Sequence, residues 1–510
     1  MEQKIDFNLI LPAIIVGFVA LLLNVTALKT EEYKNQADEG AYLNQASVVL
    51  QNGFFSGIKI LGKQYLTNAN NHNTPAPTRI AHTLYTLPFL YLEPSFQALS
   101  FASGLAFVLV LLFGFWALKR LFSLKIALVW LALCATSPLY LSMARRALMD
   151  ADQTAFMFVL IVYFALCLKD FTPKKYYIFL VLASIAPLYK ETNLLLLPIF
   201  IAILVYAKHK KLAAISWLNI LLLPIFCCCA YLACLYFVFD GWAGVQGFFA
   251  IYKTALAPTP DLISYGVGAY NHQFGSGKWV AYILDYFMLS PLVVGLFFVA
   301  IGSFWADGNL KNNKIRYFLG FVIGIFFVYN LTTKNVRYVL ILEPLMRIVV
   351  AIFIVHMWET AKKTTTALRI FAVAVAVLLF MDLWQFRFYF LTQKIYDPIS
   401  YNLLQAEKII PAYAPAAVTA SYTLPQTYDD YINLSLQFYN QKNYKGCIAT
   451  CTQALSLNPA AAEAYNNMGA AYNNMGEYPN AIAVLEQAIK LNPSNQLATS
   501  NLAYAKSMLK

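Results

Sequence analysis

The chain is poor in charge. Of its 510 residues only 12% are Asp, Glu, Lys or Arg, about half the share of an ordinary soluble domain. With 60% of residues hydrophobic and 16% aromatic, a cytosolic enzyme and a disordered chain are both excluded, because so much apolar surface needs a home out of water. The apolar runs are continuous and do not alternate with polar residues, which excludes a lipid-facing β-barrel. Cysteine is sparse and unpatterned. Cys134, Cys167, Cys227, Cys228, Cys229 and Cys234 lie in apolar runs, where a thiol behaves as a small hydrophobe, and Cys447 and Cys451 stand four apart on one predicted helix. Neither a disulfide framework nor a metal-type Cys/His spacing is present. A cleavable leader is not expected either, since Lys29-Thr-Glu-Glu follows the first apolar run where small residues would be needed. The net charge of +12 does not point to nucleic acid, because the Lys and Arg sit in short clusters between apolar runs.

What is present is a series of long apolar segments. Hydropathy places about eleven spans, at 9–28, 97–118, 124–142, 153–168, 176–189, 192–207, 212–239, 281–305, 317–332, 338–358 and 367–390. Some fall short of the roughly 20 residues that a straight crossing needs. The expectation is an all-α, polytopic helical membrane protein, multi-pass in a plasma or inner membrane. The clusters Lys119/Arg120/Lys125, Lys169/Lys174/Lys175, Lys208/Lys210/Lys211, Lys311/Lys314/Arg316 and Lys362/Lys363/Arg369 then fall on one side, the cytoplasmic one. The N-terminus is expected in the cytoplasm and the C-terminal tail outside. Residues 1–390 are read as the membrane domain, with a first exterior loop at 29–96, and 391–426 as a stem.

The tail changes character at Thr427 and carries a period of 34 residues. Tyr431, Leu434, Ser435, Phe438, Cys447, Cys451, Ala454 and Pro459 recur as Tyr465, Met468, Gly469, Tyr472, Ala481, Leu485, Ala488 and Pro493. This resembles the tetratricopeptide repeat, in which small residues mark the helix crossing and a proline closes each unit. Two repeats, 428–461 and 462–495, and a capping helix are expected, forming a short α-solenoid over 427–510 that would bind a protein partner.

The charges that are not basic clusters share the exterior side. Asp38-Glu39 follows the first span and opens an amphipathic segment, where the plain reading is a helix N-terminus favoured by the helix dipole. Arg145, Arg146, Asp150 and Asp152 lie between spans, either as a self-paired turn or as residues facing a cavity, since charge near hydrocarbon is costly. Lys190-Glu191 and Lys334-Asn-Val-Arg337-Tyr338 are read as phosphate-binding groups or as side chains snorkelling to headgroups. His72, His82 and His272 are read as surface or packing residues. The aromatic segment 240–280, with Trp242, Tyr252, Tyr265, Tyr270, His272 and Trp279, is either an interfacial belt or a lid.

The order of these motifs resembles the GT-C superfamily of polyprenyl-phosphate-sugar glycosyltransferases, closest to its protein O-mannosyltransferase and aminoarabinose-transferase-like branch. The marks are Asp38-Glu39, the segment His72-Asn-Thr-Pro75-Ala-Pro77, Arg145/Arg146 to Asp150, Lys190-Glu191 and Arg337-Tyr338, over residues 9–360. The family's usual Pro-Pro-Leu is replaced by Pro75-Ala-Pro77-Thr. The resemblance implies a glycosyltransferase moving a sugar from a polyprenyl-phosphate donor to an acceptor hydroxyl, on a protein or a glycolipid, at the exterior face. It implies Asp38 as general base with Glu39 assisting, Asp150, Asp152 and Glu191 shaping an acidic site, and Lys190, Arg337, Tyr338, Arg145 and Arg146 holding donor phosphate. A divalent metal is left open, as members differ. From other classes, a transporter or flippase and a membrane-anchored tetratricopeptide scaffold are the alternatives. A transporter would place charge near the midplane and repeat its halves, neither of which is seen in the sequence.

Overall fold

The computed structural model describes residues 7–29, 37–68, 75–256, 281–308, 312–330, 335–362, 364–396, 398, 402–403, 406–408, 428–440 and 444–509. Among them every regular element is helical. The chain divides into two compact units, Met1–Pro411 and Ala412–Lys510.

The first unit runs α1 (Phe7–Val25), α2 (Ala37–Asn52), α3 (Phe54–Thr67), α4 (Ile80–Leu92), α5 (Phe96–Leu121), α6 (Leu124–Ala135), α7 (Pro138–Ala144), α8 (Asp150–Lys169) and α9 (Pro173–Tyr189). A 3₁₀ turn over Glu191–Leu196 leads into α10 (Leu197–His209), followed by α11 (Trp217–Val238), α12 (Trp242–Leu256), α13 (Ala281–Leu289), α14 (Pro291–Ala306) and α15 (Asn313–Asn330). A second 3₁₀ turn, Val336–Val339, precedes α16 (Leu342–Ala361) and α17 (Thr365–Phe386). The starts are set by side chains that satisfy otherwise unpaired backbone donors: Ser95, Ser123, Thr172, Ser216 and Thr364 each accept from the N–H three residues on.

Six stretches are long and apolar enough to cross a membrane: Phe96–Leu121, Asp150–Lys169, Glu191–His209, Trp217–Val238, Leu342–Ala361 and Thr365–Thr392. Two more qualify only as bent pairs, α6 with α7 at 63° and α13 with α14 at 119°. The expected eleven spans therefore become six, or eight with each bent pair taken as one, among the described residues. The reasons are local. The runs 124–142 and 281–305 break where Pro138 and Pro291 open the second helix of each pair. The run 176–189 lies in the 17-residue α9, and α15 spends its first turn on Lys314 and Arg316. At the N-terminus only Ile10–Val25 qualifies as an apolar helix, a shorter one.

Packing follows the same economy of space. Trp130 of α6 stacks on Phe158 of α8 at 5.3 Å, and its Nε1 donates to the Pro344 carbonyl over 2.9 Å. A side chain at Gly114 would come within 2.0 Å of that indole, so glycine is what lets α5 approach α6. A smaller core joins α3 to α11 and α12 through Ile58, Leu61, Leu235, Val238 and Phe248.

The second unit consists of α18 (Tyr428–Asn440), α19 (Tyr444–Leu457), α20 (Ala462–Asn474), α21 (Tyr478–Leu491) and α22 (Gln496–Ser507). Its interior is small: Cys447, Cys451, Ala454, Ala464 and Ala471 in one cluster, Ala481, Leu485, Ala488, Ala498 and Ala505 in the next. Cys447 and Cys451 are free thiols. At Gly469 a Cβ would lie 2.3 Å from Leu485 Cγ, so α20 and α21 cross with no room for any side chain there.

Candidate functional site

The first turn of α2 carries Asp38 and Glu39. Arg146 comes from the turn after α7, Asp150 and Asp152 from the first turn of α8, Lys190 and Glu191 from the junction of α9 with its 3₁₀ turn, and Arg337 and Tyr338 from the second 3₁₀ turn. Five separated segments thus bring their charges into one buried polar site. Arg337 Nη2 donates to Asp38 Oδ2 over 2.7 Å, and Arg146 Nε to Glu39 Oε1 over 3.0 Å. Arg79, at the head of α4, donates to Glu191 Oε1 over 3.0 Å and to the Tyr42 hydroxyl over 2.9 Å. His82 Nδ1 lies 2.9 Å from Asp152 Oδ2. Lys190 Nζ stands 4.0 Å above the Tyr338 ring, and among the described residues no carboxylate comes within ion-pair distance of it.

Glu39 is fully buried, and one oxygen of each of Glu39, Asp152 and Glu191, with His82 Nε2, has no hydrogen-bond partner among the described residues. Burial pushes the Asp38 carboxyl up, but the Arg337 guanidinium, with Arg79 and Lys190 behind it, prevails and holds it below the usual carboxylate range. Burial pulls Lys190 down to about 8, against the opposing pull of Asp150.

Of the residues singled out in the sequence, Asp38, Glu39, Arg146, Asp150, Asp152, Lys190, Glu191, Arg337 and Tyr338 converge here. Arg145 does not. Its Nε donates to the Thr26 carbonyl, and its guanidinium lies 5.5 Å from the Phe386 ring centroid. Sequence reasoning missed Arg79 and Tyr42; His82, read as a surface or packing residue, is buried against Asp152 and in edge contact with Tyr42. The available signal was position, since Arg79 follows the Pro75-Ala-Pro77 segment on the same side. That segment is tied to the site by Gln45 Nε2, which donates to the Pro75 carbonyl over 2.6 Å. Of the aromatic segment, Trp242 is exposed on α12 beside Tyr236. Tyr265, Tyr270, His272, Trp279, the Tyr252 side chain, His72 and Lys334 lie outside the described residues. Among the described residues no three His, Cys, Asp or Glu side chains are grouped to hold a metal ion.

Chemically, Arg79, Arg146 and Arg337 are each paired with a carboxylate, whereas Lys190 feels Asp150 with no carboxylate within ion-pair distance among the described residues. Asp38, held low by Arg337, is a weak base, and base strength falls with pKa.

The chain matches the family model Tetratricopeptide repeat over residues 462–495. Residues 462–495 are a tetratricopeptide repeat. No curated protein matches the chain. A solved structure titled "Crystal structure of APC/C hetero-tetramer Cut9-Hcn1" is matched at 16% identity over 93% of this chain and 97% of that chain, with a TM-score of 0.16; at that score the two backbones do not superpose. The expectation of a glycosyltransferase is corrected accordingly. The family match falls on an interaction repeat and on no transferase, and the carboxylate assigned as general base is locked in an ion pair that weakens it.

Proposed function

We propose that the chain is a membrane-anchored tetratricopeptide scaffold, whose repeats hold a protein partner and whose apolar unit fixes them to a bilayer. The observation that carries this reading is the matched repeat, which is built as an interaction module: α20 and α21 cross tightly at Gly469, and α22 covers the end of the stack. Stacked helix pairs of this kind present extended faces that bind other proteins. The six candidate spans supply the anchor. The polar site supports a second element of the reading, a phosphate headgroup held by Lys190 with Tyr338 beneath it, because among the described residues no carboxylate comes within ion-pair distance of that buried ammonium.

The test uses the full chain in native membranes. Asn474 is exposed on α20 and reaches Tyr439 of α18 across the repeats. A photo-reactive amino acid placed at 474 should yield one discrete protein adduct, lost when Gly469→Leu disorders the crossing while membrane insertion persists. Absence of a protein adduct at 474 and at neighbouring exposed positions of α20 overturns the scaffold reading.

A further inference from the structure

Outside the polar site, a cavity of about 680 Å³ opens where α10 ends and α11 begins, with Lys208, Lys211, Ile215 and Trp217 in its lining. That is the size of a small-molecule site. No Asp or Glu lies between Tyr206 and Leu218, and Lys208, Lys210 and Lys211 form no ion pair among the described residues. Lys208 Nζ donates to the Ile215 carbonyl over 2.8 Å and stands 5.3 Å from the Trp217 ring centroid. These contacts hold the ammonium at the cavity wall and spend one of its three N–H donors.

The turn that carries these cations is built at a cost. Lys211 N–H donates to the Lys208 carbonyl over 3.0 Å, and Leu212 N–H to the Ala207 carbonyl over 2.9 Å. Such paired bonds close a helix around one left-handed residue, usually glycine. Here that residue is Lys211, at φ +52°. Its Cβ meets a steric penalty that glycine would avoid, so a lysine stands where the backbone by itself favours none. Across the cavity α11 starts at Trp217, capped by Ser216 and Asn219, and its N-terminal dipole end favours negative charge. Trp217, Leu221 and Ile225 follow at four-residue steps and are 62%, 59% and 53% exposed, an apolar stripe leading away from the cavity.

We propose that this cavity binds the headgroup of an anionic phospholipid, with the phosphodiester on Lys208 and Lys211 and an acyl chain along the Trp217, Leu221 and Ile225 stripe. The inference rests on the reading that the apolar unit lies in a bilayer. The cations need an anion, and the stripe makes that anion a lipid in place of a soluble phosphate. The loop's composition sets the lipid class. The ammonium of a choline or ethanolamine headgroup finds no carboxylate between Tyr206 and Leu218, so a headgroup with no cation of its own is preferred. Trp217 stands where cavity and stripe meet, the place of an amphipathic ring between headgroups and tails.

Native mass spectrometry of the detergent-purified full chain, titrated with phosphatidylglycerol or phosphatidylcholine, tests this. Wild type should retain phosphatidylglycerol in preference. Lys208→Gln with Lys211→Gly should weaken that binding by about 5- to 10-fold per lysine removed, and by the same factor in a Lys190→Met background, which separates it from a headgroup at Lys190. Lys119→Gln with Lys174→Gln removes equal charge from other basic clusters and should leave the binding unchanged. Folding is controlled within the test: Lys211→Gly relieves the left-handed residue and should keep or raise the lipid-free melting temperature. Equal retention of the two lipids, an equal loss in the Lys119 and Lys174 variant, or glycerol phosphate protecting against melting as strongly as phosphatidylglycerol overturns the proposal. Recovery of the chain without detergent overturns the bilayer reading as well, whereas a chain that needs detergent and shows no lipid preference overturns this proposal alone.

Discussion

Arg146 and Glu39 form the most enclosed pair of the polar site, with side chains 5% and 1% exposed. Arg146→Met strands a buried carboxylate and should lower stability by about 3–5 kcal/mol. Adding Glu39→Gln should recover part of that loss, and thermal unfolding of the two single variants and the double variant in detergent checks the coupling. Lys190 makes the opposite prediction for pH. Its folded pKa, about 8, lies below its unfolded value of 10.5. Folding therefore penalises the charged form fully below pH 8, and stability rises as pH climbs from 8 to 10.5. The rise is bounded at on the order of 3 kcal/mol, and Lys190→Met should flatten it in a pH series of melting temperatures. An anion bound at Lys190 reverses the slope, since it holds the proton on. The identity of these residues was legible because charge is rare in this chain and these groups stand at the ends of apolar runs. Their pairing was not: Arg146 and Glu39 are 107 positions apart, Arg337 and Asp38 299 apart, and no local rule chooses between such partners.

At the scale of elements, the tail was legible in detail. A period of 34 with Gly469 where its repeat partner is Ser435 marks the crossing, and the structure puts the Leu485 side chain against that glycine. Gly469→Leu should cost about 1–3 kcal/mol through overpacking. The measurable effect is local: limited proteolysis should cut the 428–509 repeats faster while fragments of the apolar unit keep wild-type protection. The apolar elements were less legible. Hydropathy sums over a window and is blind to a bend inside it, so 124–142 and 281–305 read as single spans although each breaks at a proline.

For the whole molecule, the side of the repeats follows from the count of crossings, and six or eight candidate spans are an even number, which would return the repeats to the side of the N-terminus. A reporter active only in the cytoplasm should therefore give the same signal at the N-terminus and after Lys510; opposite signals require an odd count, with the short apolar helix Ile10–Val25 as the added crossing. The scaffold reading survives either outcome, because anchoring and partner binding do not depend on the side.

Composition by itself determined that this chain is helical and apolar, and periodicity determined that residues 462–495 are a tetratricopeptide repeat, because both are properties of short windows. The tertiary structure decided which charges meet. It closed Asp38 onto Arg337, turned Arg145 away, drew Arg79 and His82 in, and gathered Glu343, Arg347 and Asp382 around two helix breaks. The physical reason is that a buried charge is stable only beside its partner, and Asp38, Glu39 and Glu191 meet theirs only through helix packing across a hundred or more positions of sequence.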